Sequence, residues 1–161
     1  MSDACERPKG VARRAPAVDV RDANLAELDP VTLYRILALR TDVFVVEQDC
    51  AYPELDGRDL EPDARQVWIE RNCAVLATLR LLRDSDGSVR IGRVATARSA
   101  RGAGLAAALV QHALVLVADA DTVLDAQSYL FDWYARFGFR RDGADFVEDG
   151  IPHVPMRRLA R

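Results

Sequence analysis

Apolar residues recur along this chain with two different periods, and the changes of period divide it into elements. From Asp29 the positions Leu33, Ile36, Leu37, Val43 and Phe44 return at helical spacing. Asp29 before Pro30 makes a suitable N-cap and first-turn pair, so the pattern predicts a helix over about 30–46. Upstream, Ala17 to Arg21 alternates as a first strand would. Gln66 to Glu70, Ala74 to Leu82 and Val89 to Thr96 read as strands, and Asp84-Ser-Asp-Gly87 is a turn between the last two, which predicts an antiparallel meander. Leu105 to Ala118 has the composition of a buried helix, ended by Asp119 to Thr122 before a short strand at Val123 to Ala126. Ser128 is suited to cap a second helix running to Phe137, and Gly138 to stop it in the left-handed conformation. Phe139 to Arg141 and His153 to Arg158 predict two further strands joined by an acidic excursion. Gln48 to Ala64 keeps neither period and contains Pro53, Gly57, Pro62 and six acids, so it reads as a long loop.

Composition narrows the possibilities. A chain of 161 residues, half of them hydrophobic, suffices for one domain with its own core. Residues 1–14, with four basic side chains and no apolar stretch after them, read as a tail, which leaves 15–161 as the domain. No run reaches the roughly 18–20 apolar residues of a membrane span, so no membrane association is expected. Cys5, Cys50 and Cys73 are scattered and have no metal-ligand spacing, which implies a reducing, cytoplasmic setting and no bound metal. With 22 basic and 25 acidic residues the net charge is -3, which gives no field for collecting nucleic acid.

The chemistry begins where the strand Val89 to Thr96 runs through Arg98-Ser-Ala-Arg101-Gly102-Ala103-Gly104-Leu105-Ala106 into a helix. Glycines at 102 and 104 let backbone N–H groups face a ligand, and the positive end of the helix dipole adds to them, so a pyrophosphate is the natural guest. Arg98 and Arg101 are placed to add charge-assisted bonds. The glycines could also serve only as a tight turn. An ATP-type phosphate loop is excluded because no Gly-Lys-Ser/Thr is present. The dinucleotide pattern G-x-G-x-x-A fits Gly102, Gly104 and Ala107, but the hairpins before it do not make a doubly wound sheet.

On Arg101, Gly104 and Ala106 the chain resembles the GNAT superfamily of acyltransferases, whose acetyl-coenzyme A motif is Arg/Gln-x-x-Gly-x-Gly/Ala. Asp132-Trp-Tyr134-Ala-Arg-Phe-Gly138-Phe139 is similar to the tyrosine-containing segment of the same superfamily. A narrower likeness, to the ElaA-like subgroup, rests on Leu39-Arg40, Val43-Phe-Val-Val-Glu47-Gln48, Tyr52-Pro53, Leu55-Asp56-Gly57, Ile91-Gly92-Arg93-Val94, Asp125-Ala126-Gln127 and Glu148-Asp-Gly-Ile-Pro-His153. The resemblance implies a mixed α/β acyltransferase fold. Its central, mostly antiparallel sheet would splay between the fourth and fifth strands, be flanked by helices and hold acetyl-coenzyme A in the split. It implies transfer of the acetyl group to a primary amine of a small molecule or peptide. Homodimers are common in the superfamily and compatible with this sequence.

Within that resemblance, the backbone of Arg101, Gly102, Ala103, Gly104, Leu105 and Ala106 holds phosphates. Val94, Ala95 and Thr96 hold the pantetheine arm and thioester oxygen, and Gln127 and Tyr134 complete the cofactor set. Tyr134 matches the general acid, a role a phenol can fill because it stays protonated at neutral pH. Its helical spacing with Leu130, Trp133 and Phe137 suits a core position equally. The carboxylate that many relatives carry on the fourth strand is missing, so the base stays open among Glu47, Asp56, Asp59, Glu148, Asp149, His153 and a water relay. That gap also leaves open an acetyl-coenzyme A binding module or sensor with weak catalysis. His153 is a candidate because an imidazole can exchange protons near neutral pH, although a structural histidine would fit there too. Arg40, Glu47, Gln48 and Asp56 are expected at the acceptor end, and the acids of the 47–63 loop are expected to attract a cationic amine. His112, on an apolar helix, reads as structural.

Overall fold

The computed structural model describes residues 18–161; the expected tail over residues 1–14, together with Cys5 and Ala17, lies outside them. The first strand, β1, covers Arg21–Asn24 rather than 17–21, because there Ala23 turns into the core while Asp22 meets Arg65 and His112. Helix α1 spans Pro30–Thr41 and starts as its sequence requires: the Asp29 carboxylate accepts from the N–H groups of Val31 and Thr32 at 3.0 Å each. The predicted helix to residue 46 instead widens into a π-helical turn at Asp42–Glu47. The loop after it holds only one 3₁₀ turn, Arg58–Leu60.

Strands β2 (Arg65–Arg71), β3 (Ala74–Arg83) and β4 (Val89–Thr96) form the expected meander. Helix α2 (Leu105–Leu116) leads to β5 (Thr122–Gln127), followed by a 3₁₀ turn at Ser128–Leu130 and the short helix α3 (Phe131–Ala135). Ser128 makes no capping bond, so this helix is half the predicted length, although Gly138 does turn left-handed at φ 89°. The chain closes with β6 (Arg140–Arg141), β7 (Phe146–Glu148) and β8 (Ile151–Arg158); β7 occupies the middle of the predicted acidic excursion.

The sheet order is β1-β2-β3-β4-β5-β8-β6, with β7 also on β8. Every pairing is antiparallel except β4 with β5, which is parallel and lasts only for Val89 opposite Thr122 and Arg90 opposite Val123. Beyond Arg90 the two strands part, giving the expected splay. Two-residue periodicity sorts the faces. Val67 and Ile69 pack towards α2 with Leu105, Leu109, Val110 and Ala113, whereas Trp68 packs towards Ile36 and Leu39 of α1. A fully enclosed leucine such as Leu109 contributes about 1.5–3 kcal/mol by leaving water. Both helices are therefore fixed against the strands whose ends form the split. Among the described residues, no helix is long and apolar enough to cross a membrane.

Candidate active site

A cleft of about 1140 Å³ fills the split between β4 and β5. One end is the glycine turn. Gly102 and Gly104 stand at φ 79° and 75°, a region that excludes most side chains, and nothing lies within 4 Å of where a Cβ would stand on either. Gly104 is the N-cap of the twelve-residue α2 and supplies no side-chain cap, so the first-turn N–H groups face the open space. Loop geometry, open cradle and helix terminus together suit a phosphorylated ligand. Arg101, Gly102, Gly104, Leu105 and Ala106 line the cleft, and Ala103 does not.

Strand β4 forms one wall. Thr78 pairs with Ala95 and Arg80 with Gly92, so Leu79 of β3 faces two β4 residues, Arg93 and Val94. This bulge puts Arg93 at φ 53° and breaks the ladder, which leaves backbone of β4 without its strand partner beside the cleft. Val94, Ala95 and Thr96 line the cleft. Gly92 inside a strand is the sequence signal that would have located the bulge.

Tyr134 stands on the opposite wall. Its ring packs edge-on against Trp133 and Phe139 at centroid distances of 4.8 and 6.1 Å, and it is only 5% exposed. Its hydroxyl has no hydrogen-bond partner among the described residues. Burial, with a smaller effect of Tyr129, pushes the phenol well above its ordinary value, so it remains a proton donor. The core position open for Tyr134 is the one its ring takes, and the residue also lines the cleft.

Register brings His153 of β8 opposite Gln127 of β5, and both line the cleft. The His153 Nδ1 lies 2.8 Å from the Ile151 carbonyl oxygen. Since a carbonyl only accepts, Nδ1 carries the proton, and in the neutral ring Nε2 is left with a lone pair. Phe146 stacks on the ring at 5.5 Å and 17°. Glu148 and Asp149 sit exposed at the β7–β8 turn, on the rim of the same cleft, with no ion-pair partner among the described residues.

The acceptor-end expectations fare differently. Arg40 has no exposed surface: its guanidinium binds Glu54, and Nη1 and Nη2 donate to the two Asp59 oxygens at 2.7 and 3.2 Å. No exposed face of it remains, and these bonds tie α1 to the loop. Asp59 is excluded in the same way by Arg40, Arg80 and Gln66. Asp56 lines the cleft, but hydrogen bonds from Arg80 at 2.8 Å to each oxygen hold its carboxyl far below the usual range, which makes it a poor base. The expected cation-attracting loop is likewise neutralised: Glu47 pairs with Arg101, Glu54 with Arg40 and Arg93, Glu61 with Arg58 and Asp63 with Arg83. Gln48 lines the cleft.

Sequence reasoning missed Tyr52, Arg90, Arg93 and Asp125 as cleft residues. Tyr52 donates to Glu54 at 2.8 Å and lies under the Arg93 guanidinium at 5.4 Å. Arg90 donates to Asp125 at 2.6 Å across the split. His112 bonds Asp22 at 2.8 Å on the far face of the sheet, the structural role expected of it. No group of three or more potential metal ligands occurs among the described residues.

Known proteins with this architecture give it a family. A profile described as an acetyltransferase (GNAT) domain matches residues 42–160. A UPF0039 protein of Mycobacterium tuberculosis is 51% identical over 136 residues, covering 82% of this chain and 87% of that protein. Escherichia coli ElaA is 36% identical over 147 residues, covering 88% and 96%. Its crystal structure superposes with a TM-score of 0.82 over 88% of this chain and 99% of that one. The crystal structure of an acyl-CoA N-acyltransferase from Pseudomonas aeruginosa also reaches 0.82, at 42% identity over 89% and 100%. An aminoglycoside 6'-N-acetyltransferase solved with coenzyme A shares the fold at 10% identity and a TM-score of 0.67, over 86% and 96%. The chain therefore belongs to the GNAT acetyltransferase family, in its ElaA-like branch.

Proposed function

We propose that this protein transfers the acetyl group of acetyl-coenzyme A directly to a primary amine of a small molecule or peptide, with both substrates bound at once. The observation that carries the reading is the meeting, in one cleft, of the uncapped glycine turn and the core-packed Tyr134, whose hydroxyl has no hydrogen-bond partner among the described residues. Coenzyme A bound to an aminoglycoside acetyltransferase of the same fold supports a coenzyme A-type donor.

The donor supplies an activated thioester, and the residues of the chain do the rest. Backbone N–H groups from Arg101 to Ala106 hold the pyrophosphate, and Arg98, which has no ion pair among the described residues, adds charge. The β4 bulge at Arg93–Val94 offers unpaired backbone N–H to the carbonyl oxygen as negative charge develops on it. His153 Nε2 takes a proton from the acceptor ammonium and frees its lone pair; the amine nitrogen then bonds to the thioester carbon and loses its surplus proton to solvent. Tyr134 gives its proton to the departing sulfur as the C–S bond breaks, and proton exchange with solvent restores both groups. Glu148 and Asp149 at the rim favour a cationic acceptor by charge alone.

Thiol release from acetyl-coenzyme A, followed over a panel of amines, polyamines and peptide N-termini, tests this. The expectation is amine-dependent release that Tyr134→Phe lowers by roughly 10²-fold while donor affinity holds. Tight binding with no release from any amine would instead support an acetyl-coenzyme A sensor, the reading that the missing β4 carboxylate keeps in view.

A further inference from the structure

Glu47 was expected at the acceptor end, yet both its oxygens face the donor loop. They accept from Arg101 Nη1 and Nη2 at 2.7 and 2.8 Å, while Arg101 Nε donates to the Thr96 carbonyl at 3.1 Å. The guanidinium is thus fixed at two points, the end of β4 and the π-helical turn after α1. With both terminal nitrogens turned to a carboxylate, its charge is locally balanced, and Arg101 in turn holds the Glu47 carboxyl low. The next residues are Gly102 and Gly104, both left-handed and with open space around them. Glycine backbones reach many conformations, so a loop carrying two of them depends on its ends for its shape.

We propose that Glu47 is a positioning residue for the donor: through Arg101 it holds the glycine loop in the form that presents N–H groups to the pyrophosphate, and it does not bind the acceptor. The inference rests on the loop binding a coenzyme A-type donor. It also removes the Arg101 guanidinium, though not its backbone N–H, from the direct phosphate ligands.

The two roles of Arg101 separate in a double-mutant cycle. Coenzyme A binding is measured by calorimetry for the wild type, Glu47→Gln, Arg101→Gln and the double variant, each at several KCl concentrations. Melting temperatures are recorded alongside. Both side chains are about two-fifths exposed, at 38% and 42%, so all four proteins should fold. Each single substitution is expected to weaken binding by about 3- to 5-fold, the scale of a half-exposed bidentate pair. The double variant should be no weaker than either single one, because all three lose the same contact. The salt dependence should stay unchanged, since no charge that touches phosphate is lost. The proposal is overturned if Glu47→Gln leaves binding unchanged or tightens it while Arg101→Gln weakens it with a shallower salt dependence, or if the two losses multiply. Wild-type protein that binds no coenzyme A would remove the functional reading itself, a result distinct from any pattern among the variants.

Discussion

Replacing Arg40 with methionine should cost stability rather than acceptor binding. Its side chain is 0% exposed, and its partners Glu54 and Asp59 are 4% and 12% exposed. Three arginines, Arg40, Arg80 and Arg93, here face three acids, Glu54, Asp56 and Asp59, so the cluster is neutral. Removing one cation leaves a net negative charge sealed from water, which typically costs about 3–5 kcal/mol. Arg80 still holds Asp59 at 3.0 Å and Arg93 still holds Glu54, which places the expected loss near the lower end, about 3 kcal/mol. For a domain of this size that is a fall in melting temperature of roughly 6–12 °C. Urea unfolding at neutral pH gives the free energy directly, and the loss should shrink in acid, where the stranded carboxyl can protonate. Arg40→Lys should not restore full stability, since an ammonium cannot span both Asp59 oxygens. A loss below about 1 kcal/mol with a raised acceptor KM would refute the structural role and return Arg40 to the acceptor site.

Two further outcomes follow from the same geometry. His153→Gln should leave donor affinity intact, lower turnover by roughly 10²- to 10⁴-fold and abolish the acid-side limb of the pH–rate profile; a profile that keeps this limb would assign the base elsewhere. Stability should hold at neutral pH and fall as pH drops below about 5, because Asp22, Asp56, Asp59 and Asp86 all have folded-state values below those of the unfolded chain, Asp86 at about 2. Groups depressed on folding stabilise above their unfolded value and lose that contribution as acid protonates them. For Asp59 burial pushes upward, but hydrogen bonding and charge from Arg40 outweigh it. A transition free energy flat from pH 7 to pH 3 would contradict this.

Much of the fold was legible because local rules governed it. The Asp29-Pro30 cap, the 84–87 turn and the β4-to-α2 glycine turn all depend on neighbours within a few residues. Helix α1 giving way to a π-turn was not legible, since Val43 and Phe44 keep helical spacing and the widening is settled by packing. The acidic loop misled for a related reason. Apart from Glu61, which pairs with Arg58 of the loop, and Asp49, its carboxylates are answered by Arg40, Arg80, Arg83, Arg93 and Arg101, arginines outside the loop's own sequence, and composition reports charge without reporting its partner. The same long-range pairing removed Arg40 from the acceptor site and turned Glu47 towards the donor loop. His153 and Tyr134 could be nominated from sequence, but the Ile151 carbonyl that fixes the histidine proton and the burial that raises the phenol further belong to the fold alone.

On the proposed function, the glycine turn at the start of α2 holds the phosphates of an acyl donor. Titrating acetyl-coenzyme A into the wild type and into Gly104→Glu by calorimetry tests it most directly. The variant puts a carboxylate into the open cradle, where no neighbour within 4 Å would resist it sterically, at a strain cost of about 1–2 kcal/mol for its left-handed backbone. One-to-one binding is expected for the wild type and none for a variant that still melts cooperatively. Undiminished binding to a folded Gly104→Glu protein would contradict it.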